Sequence, residues 1–272
     1  MINVLFGRRS NLSVTLSTVL GQCVLISSNS IESELNQINF NNYGKVNFIL
    51  NQFHPSNKLF NLTSPEDYIK NSITSTSIIL EYIKLNRINI NKLIYTSSSS
   101  VYGNNKLCTE GDPETPINIH SSLKLANEKL VEYFCKDNMI DYTIARIFNM
   151  YGGNDNFSVI SKIIHAVKDE SVLKLINNGS SVRDYIHIDD VVNLYVKLIN
   201  KKNIPLINIA SSKGQTVANL IKLLASSGII VKQKNINKSE IQYCIGNNSK
   251  LIELTGKESF IKVEDFLFDK LN

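Results

Sequence analysis

Six short apolar runs separated by segments of helix length constrain the fold of this 272-residue chain more than any single residue does. They are Ile2–Phe6, Cys23–Ile26, Val46–Leu50, residues 92–96, Tyr142–Ile147 and Leu206–Ile209, each bounded by polar clusters. Between them, apolar residues recur at helical spacing. Over residues 65–85, with Pro65 near the start, Ile69, Ile73, Ile79, Leu80 and Ile83 are expected to face inward. Over about 118–136, the inward residues are Leu123, Ala126, Leu130, Val131 and Phe134. Strands alternating with helices predict βαβ units, hence an α/β fold with a doubly wound parallel sheet. From Phe157 the elements become shorter, which predicts a main domain over 1–156 and a smaller C-terminal lobe over 157–272. Within that lobe a strand at 206–210 is expected to return to the main sheet, a strand is expected at 241–245, a polar loop at 232–239 and a terminal helix at Val263–Leu271.

Charge and cysteine usage narrow the function. A net charge of +5 is spread along the chain rather than blocked, which argues against nucleic acid as a partner. Cys23, Cys108, Cys135 and Cys244 form no Cys-x-x-Cys pair, and read as reduced core thiols of a cytoplasmic protein. A strand starting at Ile2 leaves no leader segment to expect, and no apolar run is long enough for a membrane span. No metal is expected: His187 has no second ligand at i+4, and His54 and His165 receive no role.

Five short stretches carry the chemistry. The first strand runs into Gly7-Arg8-Arg9-Ser10-Asn11-Leu12-Ser13, a strand–glycine–helix turn in which serine can cap the helix or meet a phosphate. Residues 97–103 read Ser-Ser-Ser-Ser-Val-Tyr-Gly. His120 and Lys124 are one helical turn apart and so share a face. Residues 146–152 read Arg-Ile-Phe-Asn-Met-Tyr-Gly, and residues 182–188 read Val-Arg-Asp-Tyr-Ile-His-Ile. In this order the stretches resemble the extended short-chain dehydrogenase/reductase family of nucleotide-sugar epimerases, dehydratases and 4-ketoreductases, and the resemblance spans nearly the whole chain.

That resemblance implies a Rossmann-like dinucleotide domain with a small substrate lobe, and a nucleotide sugar as small-molecule partner; a homodimer is a further candidate assembly. It places the dinucleotide on Gly7, Arg8, Arg9, Ser10, Ser13 and Lys124, with Ser10 and Ser13 standing where the family has glycine. The end of the second strand, residues 25–29, has no acid, and Arg8 and Arg9 lie where a guanidinium meets a 2′-phosphate, so NADP(H) is favoured over NAD(H). The stretch between Ile31 and Val46 is too short for the strand the family normally fits there. The catalytic set is Ser98, His120 and Lys124, where His120 replaces the family's tyrosine. An imidazole there either works as the acid/base, with the Lys124 charge lowering its pKa, or leaves a site that binds without turnover. The resemblance assigns Tyr102, Asn149 and Arg183 to the substrate, with Arg183 on the diphosphate. Family dehydratases carry an acid beside the catalytic serine. Ser99 and Ser100 stand there, which excludes 4,6-dehydration. A 4-ketoreductase is the leading expectation, a 4-epimerase the second, and a nucleotide-sugar or dinucleotide-binding protein the alternative without turnover.

Overall fold

The computed structural model describes residues 1–51 and 64–272; His54 lies outside the described residues. The chain divides into two compact units, the first made of residues 1–101, 116–146 and 192–207, the second of 102–115, 147–191 and 208–272. A single cut at 156 is therefore corrected, because 102–115 and 147–156 fold with the second unit and 192–207 with the first.

The main sheet is six-stranded, in the order Leu206–Ile209, Tyr142–Ile147, Ile90–Ser98, Val46–Leu50, Ile2–Phe6, Cys23–Ile26. Strands 2–6, 23–26, 46–50 and 90–98 pair in parallel. Ile2–Phe6 and Val46–Leu50 are buried at every residue, as strands covered on both faces must be, and that is why they read as unbroken apolar runs. The strand order reverses on either side of Ile2–Phe6, and in open α/β sheets the crevice at such a reversal receives the ligand. Between Ile31 and Val46 the chain makes a short helix (Ile31–Leu35) and a 3₁₀ turn (Phe40–Asn42) instead of a further strand.

Two helices depart from the expected faces. Pro65–Ile69 runs through a wide π turn at Lys70–Thr74 into Ser75–Leu85. Ile79, Leu80 and Ile83 are buried as the spacing predicts, whereas Ile69 is exposed and Tyr68 takes the inward place. The π turn holds more residues than an α turn, so counting backwards at 3.6 residues per turn lands one residue late. On Ile119–Asp137 the buried face is Leu123, Lys124, Asn127, Glu128, Val131 and Cys135, while Ala126 is exposed and Leu130 and Phe134 are half-buried. This helix turns charge inward.

The second unit holds a sheet in the order Gly214–Thr216, Val182–His187, Tyr243–Gly246, Asn105–Cys108, with Asn149–Tyr151 also paired to Val182–His187. The terminal helix, Val263–Leu271, packs Val263 and Leu267 into its core with Tyr151, Ile160 and Leu220. The expected loop at 232–239 contains a strand, Gln233–Ile236, parallel to Leu173–Ile176. All four of its side chains are exposed, so it has no apolar alternation to reveal it; backbone pairing alone makes it a strand.

Asp184 ties three segments of this unit together, accepting from Ser211 N–H and Oγ–H, Ser212 N–H and Gly246 N–H at 2.6–3.1 Å. Its motif neighbour His187 accepts the Asp189 N–H at Nδ1 and is wedged between the rings of Tyr151 and Phe266. Gly152 has φ of 90°, and a Cβ there would lie 2.2 Å from His187 Nε2. Gly152→Ala should therefore lower the melting temperature by the equivalent of about 1–3 kcal/mol, the cost of an overpacked, strained position. An unchanged thermal unfolding curve would show that the imidazole is not locked.

Candidate active site

The first strand turns at Gly7, whose φ of 88° is cheap only without a Cβ. The N–H groups of Gly7 and Arg8 both donate to Ile26 O at 3.0 Å, which fixes the turn against the end of the second strand. Ser10 is the N-cap of the helix Asn11–Val19, its Oγ accepting the Ser13 N–H. The positive end of that helix is thus aimed at the turn, as a pyrophosphate site requires. Ser13 is corrected. It is fully buried, donates its hydroxyl to Phe6 O (3.2 Å) and accepts from Asn51 Nδ2 (3.0 Å), so its side chain is not offered to a phosphate. Asn51 accepts in turn from Thr96 Oγ1, which bonds Tyr195 Oη at 2.8 Å. Where the family has a glycine, a buried polar chain links the turn after the first strand to the strand Ile90–Ser98.

The arginines do not share one task. Arg8 donates from Nε and Nη2 to Leu25 O at 3.0 and 2.9 Å and pairs with Glu34. It is therefore not the open fork that a 2′-phosphate would need, which corrects its expected role; Arg9 is exposed.

The helix Ile119–Asp137 starts with a capping box between Asn118 and Ser121, so His120 sits in its first turn. Lys124 Nζ donates to Thr96 O at 2.7 Å and lies 5.1 Å from the Tyr95 ring centre. One turn further, Glu128 accepts Ser97 Oγ–H and binds Arg146 through Nη2 at 2.7 Å and Nε at 3.1 Å, with both ion-pair partners buried. Lys124 and Glu128, four residues apart, thus face the strand at Thr96 and Ser97. The Oγ of Ser98 accepts from Ser100 N–H (3.2 Å) and is 3.0 Å from Ser100 Oγ. Glu128 and Arg146 are absent from the sequence-predicted set because a charged residue at an inward position reads as an error of phase until its partner is known.

Burial sets the protonation states. Desolvation, helped by the Lys124 charge, pushes His120 down to about 3, so its imidazole is neutral at physiological pH. Desolvation pushes Lys124 down to about 7 against the opposing pull of Glu128, so its ammonium exchanges a proton near neutrality. A neutral imidazole beside a lysine poised near pH 7 can take a proton from a hydroxyl and pass one on to the neutral amine of its neighbour.

In the second unit, Asn149 Nδ2 donates to Asp184 O at 3.1 Å. Arg183 donates to Val182 O and Ile241 O and lies 3.4 Å from Glu240. Tyr102 is buried, donates its hydroxyl to Asn208 Oδ1 at 2.8 Å and stacks on Phe148. Among the described residues no cluster of His, Cys, Asp or Glu could hold a metal ion, and no helix is long and apolar enough to cross a membrane.

The NAD dependent epimerase/dehydratase family matches residues 28–210. The chain belongs to it. It is 25% identical over 219 residues to the UDP-glucuronate 4-epimerase of Thermodesulfobacterium geofontis, covering 78% of this chain and 67% of that one. It is 30% identical over 205 residues to the GDP-6-deoxy-D-talose 4-dehydrogenase of Aggregatibacter actinomycetemcomitans, covering 70% and 67%. The chain spans about half to two thirds of the length of the curated relatives it matches. The fold is that of the UDP-glucuronic acid 4-epimerase of Bacillus cereus, solved with UDP-glucuronic acid and NAD, at a TM-score of 0.83 and 19% identity over 100% of this chain and 98% of that one.

Proposed function

We propose that this chain interconverts the hydroxyl and the ketone at C4 of a nucleoside-diphosphate sugar with a nicotinamide dinucleotide, acting as a 4-ketoreductase. The observation that supports the reading is the helix face carrying Lys124 and Glu128, bonded to Thr96 and Ser97, with His120 one turn before Lys124 and Ser98 next along the strand. When bound, the dinucleotide supplies or receives the hydride. Gly7, Ser10 and Lys124 would hold it, and the turn at Gly7 and the capped helix fit that group. The protein's part is the proton. The Ser98 hydroxyl would hold the C4 oxygen. His120, neutral at pH 7, would take the hydroxyl proton in the oxidative direction. In the reductive direction it would give a proton to the same oxygen, with Lys124 Nζ restoring it. Arg183 and Asn149 would meet the diphosphate and the sugar, Arg183 by exchanging Glu240 for the phosphates.

Two relatives support neighbouring readings. The 4-dehydrogenase is named for redox at position 4, the same bond change that ketoreduction reverses. The UDP-glucuronate 4-epimerase favours a second reading, 4-epimerisation, in which the same proton is taken and returned while the cofactor is recycled. Sequence alone favours NADP(H); the structure employs Arg8 on Glu34, and the Bacillus cereus epimerase was solved with NAD. Ser99 and Ser100 stand where family dehydratases carry an acid, which argues against 4,6-dehydration. Incubation with UDP-, dTDP-, GDP- and CDP-linked sugars and their 4-keto forms, with NADH or NADPH, tests the proposal by NMR at C4. Reduction of one 4-keto sugar is expected. Inversion without net cofactor consumption would select the epimerase reading, and binding with no change at C4 would leave a binding protein.

A further inference from the structure

The end of the second strand is where a dinucleotide-binding sheet receives the adenosine ribose, and its acid is what separates NAD from NADP. Residues 25–29, Leu-Ile-Ser-Ser-Asn, supply no acid there. The fold brings one from elsewhere. Glu34 lies on the short helix Ile31–Leu35, and its Oε2 accepts the Ser27 N–H at 3.4 Å, one residue past the end of the strand Cys23–Ile26. Its Oε1 accepts the Ser30 hydroxyl, and Arg8 closes over Oε2 from the glycine turn. Ser30 begins that helix without capping it by its side chain; the hydroxyl is used on the carboxylate instead.

We infer that Glu34 is the specificity-determining residue of the dinucleotide site, selecting NAD(H) against NADP(H), and that Arg8 serves it as a positioning residue. The inference rests on the dinucleotide reading of the Gly7 turn proposed above. A carboxylate offers about four acceptor positions, and Ser27, Ser30 and Arg8 take three, which leaves room for a ribose hydroxyl as donor. Glu34 keeps 16% of its side chain exposed, so it is reachable. A 2′-phosphate brought to the same place would meet a fixed negative charge, and the guanidinium that could offset it is held by Leu25 O and Glu34 itself. The stretch after Ile31 has no further strand, so the helix turns back early enough for position 34 to reach the strand end.

Dissociation constants for NADH and NADPH, from fluorescence quenching or calorimetry, test this without any turnover. The natural chain should bind NADH at least roughly tenfold more tightly, the scale of one hydrogen bond to a charged group. Glu34→Gln keeps the shape of the side chain, and should erase most of that preference by weakening NADH and strengthening NADPH as Arg8 is released. Arg8→Ala should weaken NADPH binding in the Glu34→Gln background and have little effect on it in the natural chain. A natural preference for NADPH, or the same ratio in Glu34→Gln, overturns the inference while the dinucleotide reading stands. Silence from both cofactors in every variant overturns both.

Discussion

Arg146→Ala should destabilise the first unit by about 3–5 kcal/mol, because it strands a buried carboxylate. Arg146 and Glu128 have side-chain exposures of 1% and 2%, and they meet through two guanidinium nitrogens. Removing the cation leaves Glu128 in the core with the Ser97 hydroxyl as a remaining donor. It must then be desolvated unpaired or take up a proton. The loss should exceed that of Glu128→Gln, which keeps the shape and an acceptor for Arg146. Denaturant unfolding of the two variants checks this, and equal small losses would mean that water reaches the pair. Loss of the Glu128 charge should also lower the affinity of Lys124 for its proton, since Glu128 is what opposes its desolvation. A weakened core and a misprotonated lysine would come from one substitution.

How much of this was legible in the sequence follows from where each residue takes its partner. Strands such as Ile2–Phe6 and Val46–Leu50 were legible because burial on both faces leaves an unbroken apolar run. His120 and Lys124 were legible as a pair because helical geometry is local. Glu34 was not: residues 25–29 hold no acid, and the carboxylate that reaches the strand end comes from the next helix by a contact of the folded chain. Ser13 and Tyr102 matched motif positions, but their hydroxyls are consumed by Phe6, Asn51 and Asn208, partners distant in sequence. Arg146 lay inside a recognised motif without a role, since a buried arginine acquires meaning only from Glu128. The strand Gln233–Ile236 had no side-chain signature at all.

The largest functional effect is expected at His120, and its pH dependence has a definite sign. With a folded-state pKa pushed down to about 3 from the usual 6.5, the unfolded chain binds a proton that the folded chain refuses between those values. Stability should therefore fall as pH drops from 6.5 towards 3, and His120→Asn should flatten that fall. Lys124, pushed down to about 7, works in the alkaline range: the unfolded lysine keeps its proton up to about 10.4, so stability rises with pH between the two values. The reductive rate should follow the same two groups. No acid limb is expected near 6.5, because the imidazole is neutral on both sides of that pH, and an alkaline limb should appear near 7 as Lys124 loses its proton. His120→Ala should lower the rate by roughly 10²–10⁴, the range for removing a general acid/base. His120→Tyr places a group of ordinary pKa ~10 beside Lys124 and should carry the optimum upward. The decisive measurement is the pH–rate profile of cofactor oxidation with the reducible 4-keto nucleotide sugar, followed at the nicotinamide absorbance for the natural chain and His120→Ala. A profile flat on the acid side, falling near pH 7 and lost in His120→Ala, is the expected result. An acid limb near 6.5, or a rate that ignores residue 120, would contradict the assignment of His120 and Lys124 as the proton-handling pair.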